Sequence, residues 1–210
     1  VPDGVLIRTA EGAPRFDRVV IAPGPWANEL LNLPAAPVSP VQKTLYWRRP
    51  ASNEFNLERG FPSFAIETDD DRLFYGFPGI DEAGVKIAEH TGGVPIATPE
   101  DRDETPASNE ALDLEAFLAA TLPALAGRPG HFQRCLYEMS ADGHFLVDRH
   151  PDSDRVIFAA GLSGHGFKFA PVLGEALASM ALDDCTPAGF EFLSLDPRVR
   201  CRDFSRAKHT

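Results

Sequence analysis

The segment RVIFAAGLSGHGFKFAPVLGEALASMAL, from Arg155 to Leu182, carries the strongest indication of how this chain folds. The apolar run from Val156 to Ala160 is typical of a strand buried on both faces, and a helical pattern opens shortly after it. Three glycines lie between the two elements, in the turn 161–166. Glycine permits positive φ and close approach of a ligand, and a following helix aims its free N–H groups at that ligand. The pattern predicts a site for a flat or anionic group; a tight turn that needs glycine only for packing is the alternative.

Two side chains near this turn favour a functional interpretation. His165 adds a titratable ring and Lys168 adds a cation, and neither is an obvious packing residue. A serine hydrolase is not favoured, because His165 stands where the nucleophile motif G-x-S-x-G requires its last glycine, which makes Ser163 a poor nucleophile.

Composition limits the class of protein. The chain has 210 residues, of which 43% are hydrophobic, enough for a globular fold with a core. Its net charge of −11 and the lack of a long basic run argue against nucleic acid or an anionic membrane as partner. No apolar run has the roughly 18 residues of a membrane-spanning helix, and the first residues lack a signal-peptide pattern, so we expect a cytoplasmic protein. The cysteines, at positions 135, 185 and 201, form no C-x-x-C pair and indicate neither a disulfide framework nor a zinc site.

The middle of the chain has β-type segments at 41–47, 63–67, 72–77 and 85–90, which predict an antiparallel meander. On the last of them Lys86, Ala88 and His90 share one face, because side chains alternate along a strand. A functional face and a solvated sheet edge both fit this pattern. A helix with an apolar stripe, including Leu112, is predicted over 111–122 and should pack on the sheet.

The flanking segments predict the rest of the fold. Residues 1–33 read as the tail of a larger α/β domain, and strand character returns after residue 130. His144, Asp148 and His150 would share a face of an unbroken strand, but Pro151 and the polar turn after it interrupt that strand, so no metal site is predicted. The segment from Cys185 onward is predicted to lie on the surface.

Several motifs resemble those of a known family. The segments are CLYEMSADGHFLVDRHP (135–151), VIFAAGLSGHGFKFAPVLGE (156–175), YGFPGIDEAGVKIAEH (75–90) and VVIAPGPWANELL (19–31). They resemble the C-terminal part of monomeric sarcosine oxidase and N-methyltryptophan oxidase, flavoenzymes of the D-amino-acid-oxidase superfamily. The resemblance covers nearly the whole chain up to about Asp183.

The resemblance implies a role for individual residues. Cys135 would carry FAD through a thioether to the flavin 8α-methyl group, Lys86 would lie over flavin N5 and help reduce dioxygen, and Lys168 would bind the substrate carboxylate. The other implied catalytic residues are His90, His165, Tyr75 and Tyr137. The other implied cofactor-binding residues are Gly24, Trp26, Gly161, Ser163, Gly164, Gly166 and Phe167. These roles agree with the helix N-terminus after the glycine turn, which would stabilise negative charge on the flavin.

The resemblance also implies an α+β fold, with an antiparallel substrate-binding sheet and flanking helix joined to the C-terminal elements of a Rossmann-like FAD-binding domain. The expected division is 1–33 for a remnant of the FAD-binding domain, 34–129 for the substrate-binding domain, 130–183 for the return to the FAD-binding domain, and 184–210 for a C-terminal tail. Glu138 and Gly143 depart from the family pattern, which has threonine and an acid there.

The implied activity is oxidation of N-methyl or other α-amino acids to an imine, with dioxygen reduced to hydrogen peroxide. The family's diphosphate-binding G-x-G-x-x-G and its carboxylate-pairing arginine have no counterpart in this sequence. We therefore expect these 210 residues alone to bind FAD weakly or not at all, and the missing half to lie on a partner chain or to be absent. The alternatives are a non-catalytic fragment or subunit, and a dehydrogenase that passes electrons to a partner protein.

Overall fold

The structure, a computed structural model, describes residues 4–33, 37–105 and 108–196. The chain divides into two compact units. Unit 1 contains the described residues up to Pro40 and those from Tyr137 onward, and unit 2 is Val41–Leu136. These boundaries fall somewhat after the expected ones at 33 and 129, and residues 197–210 of the expected tail lie outside the described residues.

The described strands are β1 (Val5–Leu6), β2 (Arg15–Phe16), β3 (Val19–Ile21), β4 (Val38–Arg48), β5 (Phe64–Glu67), β6 (Leu73–Phe77), β7 (Val85–Glu89), β8 (Val94–Pro95), β9 (Pro129–Ser140), β10 (Leu146–His150) and β11 (Ser153–Ala160). The described α-helices are α1 (Ala27–Leu31), α2 (Ser108–Thr121) and α3 (Ala170–Leu182). The fold is therefore mixed α/β, with antiparallel strand pairs and few helices.

Unit 1 is built on the sheet β10-β11-β3, in which β10 pairs antiparallel and β3 parallel with the central strand. Side chains alternate along β11, so Ile157 and Ala159 enter one core with helix α3, while Phe158 and Ala160 enter another with α1. All four are buried, which confirms the prediction of a strand buried on both faces.

Unit 2 is built on a sheet of order β5-β6-β7-β4-β8, antiparallel throughout, with β9 also paired to β4. Helix α2 packs on one face: Phe117 stacks on Phe74 of β6 at 4.0 Å between ring centroids, and Leu118 is fully buried. The predicted antiparallel strands and the packing helix are present, but the order differs from a simple meander: β5, β6 and β7 follow one another, and β4 lies beside β7 instead of β5. The opposite face of the sheet carries the residues described below.

Two expectations differ from the structure. Leu112, assigned to the packing stripe of α2, is 69% exposed, because it lies a third of a turn or more away from the buried Leu114 and Leu118. The segment after Cys185 does not lie wholly on the surface: Leu193 is buried, and Phe190 and Phe192 pack against the core that faces α3. Apolar residues in an irregular segment leave no periodic signal, which is why the sequence pattern missed them.

Within the part of the chain that the structure describes, no helix combines the length and apolar character needed to cross a membrane.

Candidate functional site

The open face of the unit 2 sheet carries a row of three side chains across neighbouring strands. Lys86 of β7 lies directly opposite Trp47 of β4 on one side and Phe77 of β6 on the other. Its neighbours along β7, Val85 and Ile87, point into the core instead, as alternation requires. The Lys86 Nζ lies 5.6 Å from the Trp47 ring centroid and 5.7 Å from that of Phe77. Among the described residues, no carboxylate lies within ion-pair distance of this ammonium.

Tyr75 and His90 lie next to this row. Tyr75 pairs with Ala88, the small residue after Lys86 on the same face. Its ring centroid is 5.9 Å from that of Phe77 and 6.4 Å from that of His90. Tyr75 therefore lies on the sheet face that Lys86 and His90 were predicted to share.

The turn that follows His90 is fixed by a buried lysine. The Lys43 Nζ donates hydrogen bonds to the carbonyl oxygens of His90 at 2.8 Å, Thr91 at 2.7 Å and Gly92 at 2.6 Å. Burial lowers the pKa of Lys43, an effect opposed by the negative charge of Glu89. These bonds hold the backbone of His90 in place.

Cys135 lies on β9 and is half-buried. Burial raises the pKa of its thiol, while the positive charges of Lys86, Lys43 and Arg134 act in the opposite direction. Arg134 is anchored on the helix side of the sheet: its Nη1 donates to Glu110 Oε2 at 2.6 Å and to the Thr44 hydroxyl. The neighbouring Cys135 thus lies on a strand segment held by a buried ion pair, within the field of three cations.

The glycine turn lies in unit 1, between β11 and α3. Gly161 and Gly164 have φ of 62° and 77°, values that favour glycine. A Cβ at Gly164 would overlap the ring of Tyr137, and one at Gly161 would lie 3.1 Å from Ser140 Cβ. Contacts within unit 1 therefore strongly favour glycine at Gly164 and disfavour a larger residue at Gly161, in line with the alternative interpretation of the turn.

The Ser163 hydroxyl is engaged within the turn. Its Oγ donates to the Gly161 carbonyl at 3.0 Å and accepts the Ser140 N–H at 3.2 Å. Its backbone has φ of 49°, and the residue is buried. Ser163 thus supports the shape of the turn from inside.

Glu138, the departure from the family pattern, holds the same turn. Its backbone carbonyl accepts the Ser163 N–H at 2.9 Å, and its Oε1 accepts the Leu162 N–H at 3.4 Å. The residue is 7% exposed, and its Oε2 has no hydrogen-bond partner within the described residues. Burial raises the pKa of this carboxyl, which outweighs the backbone N–H groups of Gly161 and Leu162 that lower it.

His165 and Lys168 line one cavity of about 370 Å³ in unit 1. The His165 Nδ1 lies 2.9 Å from the Ser163 carbonyl oxygen, and its ring is tilted against Phe145 at 4.8 Å between centroids. The Lys168 Nζ lies 5.5 Å from the centroid of the Phe169 ring, another wall of the cavity. The cavity thus combines a cation and an imidazole with aromatic walls.

The segment between the glycine turn and α3 presents free donors and an exposed ring. Phe167 is 95% exposed. In the described part of the chain, the amides of Gly164, Gly166, Phe167 and Lys168 donate no hydrogen bond to a protein acceptor. Such donors, just before a 13-residue helix, suit a carbonyl or anionic edge of a ligand.

Gly24 and Trp26 form a short 3₁₀ turn after β3. Gly24 has φ of 57°, and a Cβ there would meet nothing within 4 Å, so no packing contact in the described residues explains the glycine. Trp26 is 42% exposed.

The remaining candidates lie elsewhere. His150 Nε2 lies 2.6 Å from the Leu31 carbonyl oxygen, and Asp148 Oδ2 accepts the Ser194 hydroxyl at 2.8 Å. The described ranges contain no group of three or more His, Cys, Asp and Glu placed to hold a metal ion. Cys185 is exposed, and Cys201 lies outside the described residues.

The sequence patterns missed Trp47 and Phe77 as neighbours of Lys86. Each lies on a predicted strand, and alternation alone assigns each to a face only once the pairing register is known. The register joins residues far apart in the sequence and was not available from local pattern.

Solved structures of amino acid oxidases share this fold. NikD, described as an unusual amino acid oxidase essential for nikkomycin biosynthesis, aligns with a TM-score of 0.72 at 22% identity, over 91% of this chain and 51% of that one. Glycine oxidase from Geobacillus kaustophilus aligns with a TM-score of 0.72 at 20% identity, over 92% and 49%. At these identities the likeness shows the fold.

The family follows from the sequence comparisons. Residues 2–180 match the model of the DAO family, FAD dependent oxidoreductase, and the chain belongs to this family. N-methyl-L-tryptophan oxidase of Yersinia pestis (strain Pestoides F) is 36% identical over 193 residues, which are 91% of this chain and 51% of the relative. The same protein of Yersinia pseudotuberculosis serotype O:1b (strain IP 31758) matches equally well. The chain therefore spans about half the length of the curated relatives it matches.

Proposed function

We propose that the complete protein is an FAD-dependent oxidase of N-methyl or other α-amino acids, which forms an imine and hydrogen peroxide. Family membership and the 36% identity to N-methyl-L-tryptophan oxidases support this proposal. The observation that carries it is the open sheet face of unit 2, where Lys86, a cation without a carboxylate partner in the described residues, lies beside Tyr75 and His90.

The residues present fit FAD. The amides of Gly164, Gly166, Phe167 and Lys168, which have no protein acceptor in the described residues, supply donors for the pyrimidine edge of the flavin, and the exposed Phe167 ring supplies apolar contact. Cys135 is the proposed attachment residue. When bound, FAD accepts a hydride equivalent from the substrate and delivers two electrons to dioxygen. In this proposal, unit 2 is the substrate-binding domain and unit 1 contains the closing elements of a Rossmann-like FAD domain, an assignment that the parallel β3–β11 pair supports.

The chain's own residues act through charge and position. The Lys86 ammonium stabilises negative charge that develops on dioxygen, and the Lys168 ammonium binds the substrate carboxylate. Tyr75 and His90 of unit 2 are proposed substrate-contacting residues, and Tyr137 and His165 of unit 1 are proposed for the same role. These groups bind and orient the substrate. The two protons that the substrate loses are the two that dioxygen takes up when it forms hydrogen peroxide.

The test is Lys86→Met in the complete, FAD-loaded protein. Stopped-flow measurement follows flavin reduction by an N-methyl amino acid and reoxidation by dioxygen separately. We expect reoxidation to slow by about 10² to 10³, the effect of one preorganised charged group, with much less effect on reduction. Arg59→Met, which removes an exposed cation from the same unit, is the control and should change neither step.

Two results would contradict the proposal. Equal losses in both half-reactions would give Lys86 another role. Wild-type protein that is reduced by amino acids but reoxidised only by an artificial electron acceptor, without hydrogen peroxide, would be a dehydrogenase.

A further inference from the structure

Lys86 occupies an unusual place for a partly buried lysine. Its ammonium lies between two aromatic rings, 5.6 Å from the centroid of Trp47 and 5.7 Å from that of Phe77. Both rings belong to residues directly opposite Lys86 on the adjacent strands, so the three side chains form one row across β4, β7 and β6. Cross-strand neighbours on one face are the side chains that interact most closely in a sheet.

The two rings are themselves held in place. His131 of β9 stacks on Trp47 at 4.2 Å between centroids and 16° between planes. Gly130, the residue before it, leaves room for this approach, because a Cβ there would lie 2.7 Å from the Trp47 carbonyl oxygen. Tyr75 contacts Phe77 edge-on, with 79° between the ring planes. The stacking on His131 and the edge-on contact with Tyr75 therefore hold the rings of Trp47 and Phe77 beside the Lys86 ammonium.

Aromatic neighbours and a carboxylate partner affect the electric field of an ammonium group differently. A carboxylate beside an ammonium cancels most of its charge at a distance. An aromatic face attracts the cation through its quadrupole and carries no net charge, so the positive field of the ammonium remains available to an approaching anion.

We propose that Trp47 and Phe77 are positioning residues for Lys86, which hold its ammonium by two cation–π contacts and leave its charge unneutralised for the reduction of dioxygen. The inference rests on the role proposed above for Lys86. It assigns to Trp47 and Phe77 a task that aliphatic residues such as leucine, which have no aromatic ring, do not perform.

The first measurement needs neither FAD nor turnover. The lysines of the 210-residue chain are Lys43, Lys86, Lys168 and Lys208, so a chain labelled with ¹³C-lysine gives few Cε–Hε signals, and Lys86→Met identifies that of Lys86. Protons over aromatic rings resonate upfield. Trp47→Leu and Phe77→Leu should each move the Lys86 Hε signal downfield, whereas Trp47→Phe should retain part of the upfield shift. Phe77 is 45% exposed, so its replacement leaves the core intact.

The matched control is Phe132→Leu. Phe132 is an aromatic residue of β9 with a similar exposure of 43%, and alternation places it on the face of Arg134, away from Lys86. Its replacement should leave the Lys86 signal unchanged. An unchanged Lys86 signal in both Trp47→Leu and Phe77→Leu would overturn the inference.

The second measurement uses the complete, FAD-loaded protein. Trp47→Leu and Phe77→Leu should slow reoxidation by about 2- to 30-fold, the range that one cation–π contact corresponds to, and should leave flavin reduction nearly unchanged. If Lys86→Met slows reoxidation but both leucine variants keep the wild-type rate, the positioning role is refuted while the proposed function stands. If Lys86→Met itself has no effect on reoxidation, the proposed function of Lys86 fails, and with it the catalytic part of this inference.

Discussion

Gly164→Ala is the perturbation that tests most directly whether the glycine turn is a rigid part of unit 1. The residue has φ of 77°, in the left-handed region, and an added Cβ would overlap the ring of Tyr137. Tyr137 is one of the proposed substrate-flanking residues, so the substitution strains the backbone and displaces a side chain of the candidate site at once.

The size of the effect follows from three contributions. A residue with a Cβ in the left-handed region costs about 1 to 2 kcal/mol. Displacing a packed ring to admit one methyl group costs about 1 to 3 kcal/mol. The reduced freedom of the unfolded chain returns about 0.4 to 1 kcal/mol. The free energy of unfolding should therefore fall by about 1 to 4.6 kcal/mol, a large part of the roughly 5 to 15 kcal/mol of a typical domain.

Urea denaturation followed by tryptophan fluorescence measures this loss. Trp26 lies in unit 1 and Trp47 in unit 2, so a Trp47→Phe background reports on unit 1 through Trp26. The control is Gly174→Ala, in helix α3, where a Cβ would meet nothing within 4 Å. It should raise the free energy of unfolding by about 0.5 to 1 kcal/mol, because alanine is the better helix former.

A double-mutant cycle separates the steric contribution from the backbone contribution. With Tyr137→Leu, the overlap disappears and only the strain at φ of 77° should remain. A loss below about 0.5 kcal/mol for Gly164→Ala, or the same loss with and without the Tyr137 ring, would refute the view that this ring fixes glycine at the turn.

Three further predictions concern single side chains. In the complete protein, peptide mapping should find flavin on Cys135, and replacement of Cys185 or Cys201 by serine should leave the loading unchanged; flavin released on denaturation would contradict this. Lys168→Ala should weaken carboxylate ligands about 10- to 150-fold in ligand titrations and leave neutral amines nearly unaffected, because one charged contact is worth roughly 1.5 to 3 kcal/mol. Because the pKa of Glu138 is raised, the folded state holds the proton of this carboxyl more tightly than the unfolded state. The free energy of unfolding of the wild type should therefore fall relative to that of Glu138→Gln as pH rises above the ordinary carboxyl value of 4.5. The same pH dependence of stability in both proteins would disprove this prediction.

The local sequence pattern was sufficient to predict the strands and helices whose apolar periodicity comes from packing against a core. The run from Val156 to Ala160 is apolar at every position because both of its faces are covered, and this pattern is visible without knowing what covers them. The shared face of Lys86 and His90 is also a local property, since it depends only on the alternation of one strand. The sequence therefore predicts which residues point the same way along each strand.

Contacts between strands could not be predicted in the same manner. The pairing of Trp47 with Lys86 depends on a register set by the whole sheet, and a shift by one residue would place Trp47 in the core. The burial of Leu193 likewise depends on an irregular segment that returns to the α3 core. Such contacts are products of tertiary packing, and they include the side chains that frame the candidate catalytic lysine.

The hydrogen bonds that Lys43 donates to three successive carbonyl oxygens limit the motion of the turn 90–92. Opening the turn 90–92 would leave a desolvated ammonium without its acceptors, at a cost of several kcal/mol for a buried charge. A penalty of this size makes the open state of the turn a rare one. We therefore expect the turn beside His90 to act as a fixed wall of the candidate site, so that under the proposed function the access of substrate would depend on other segments.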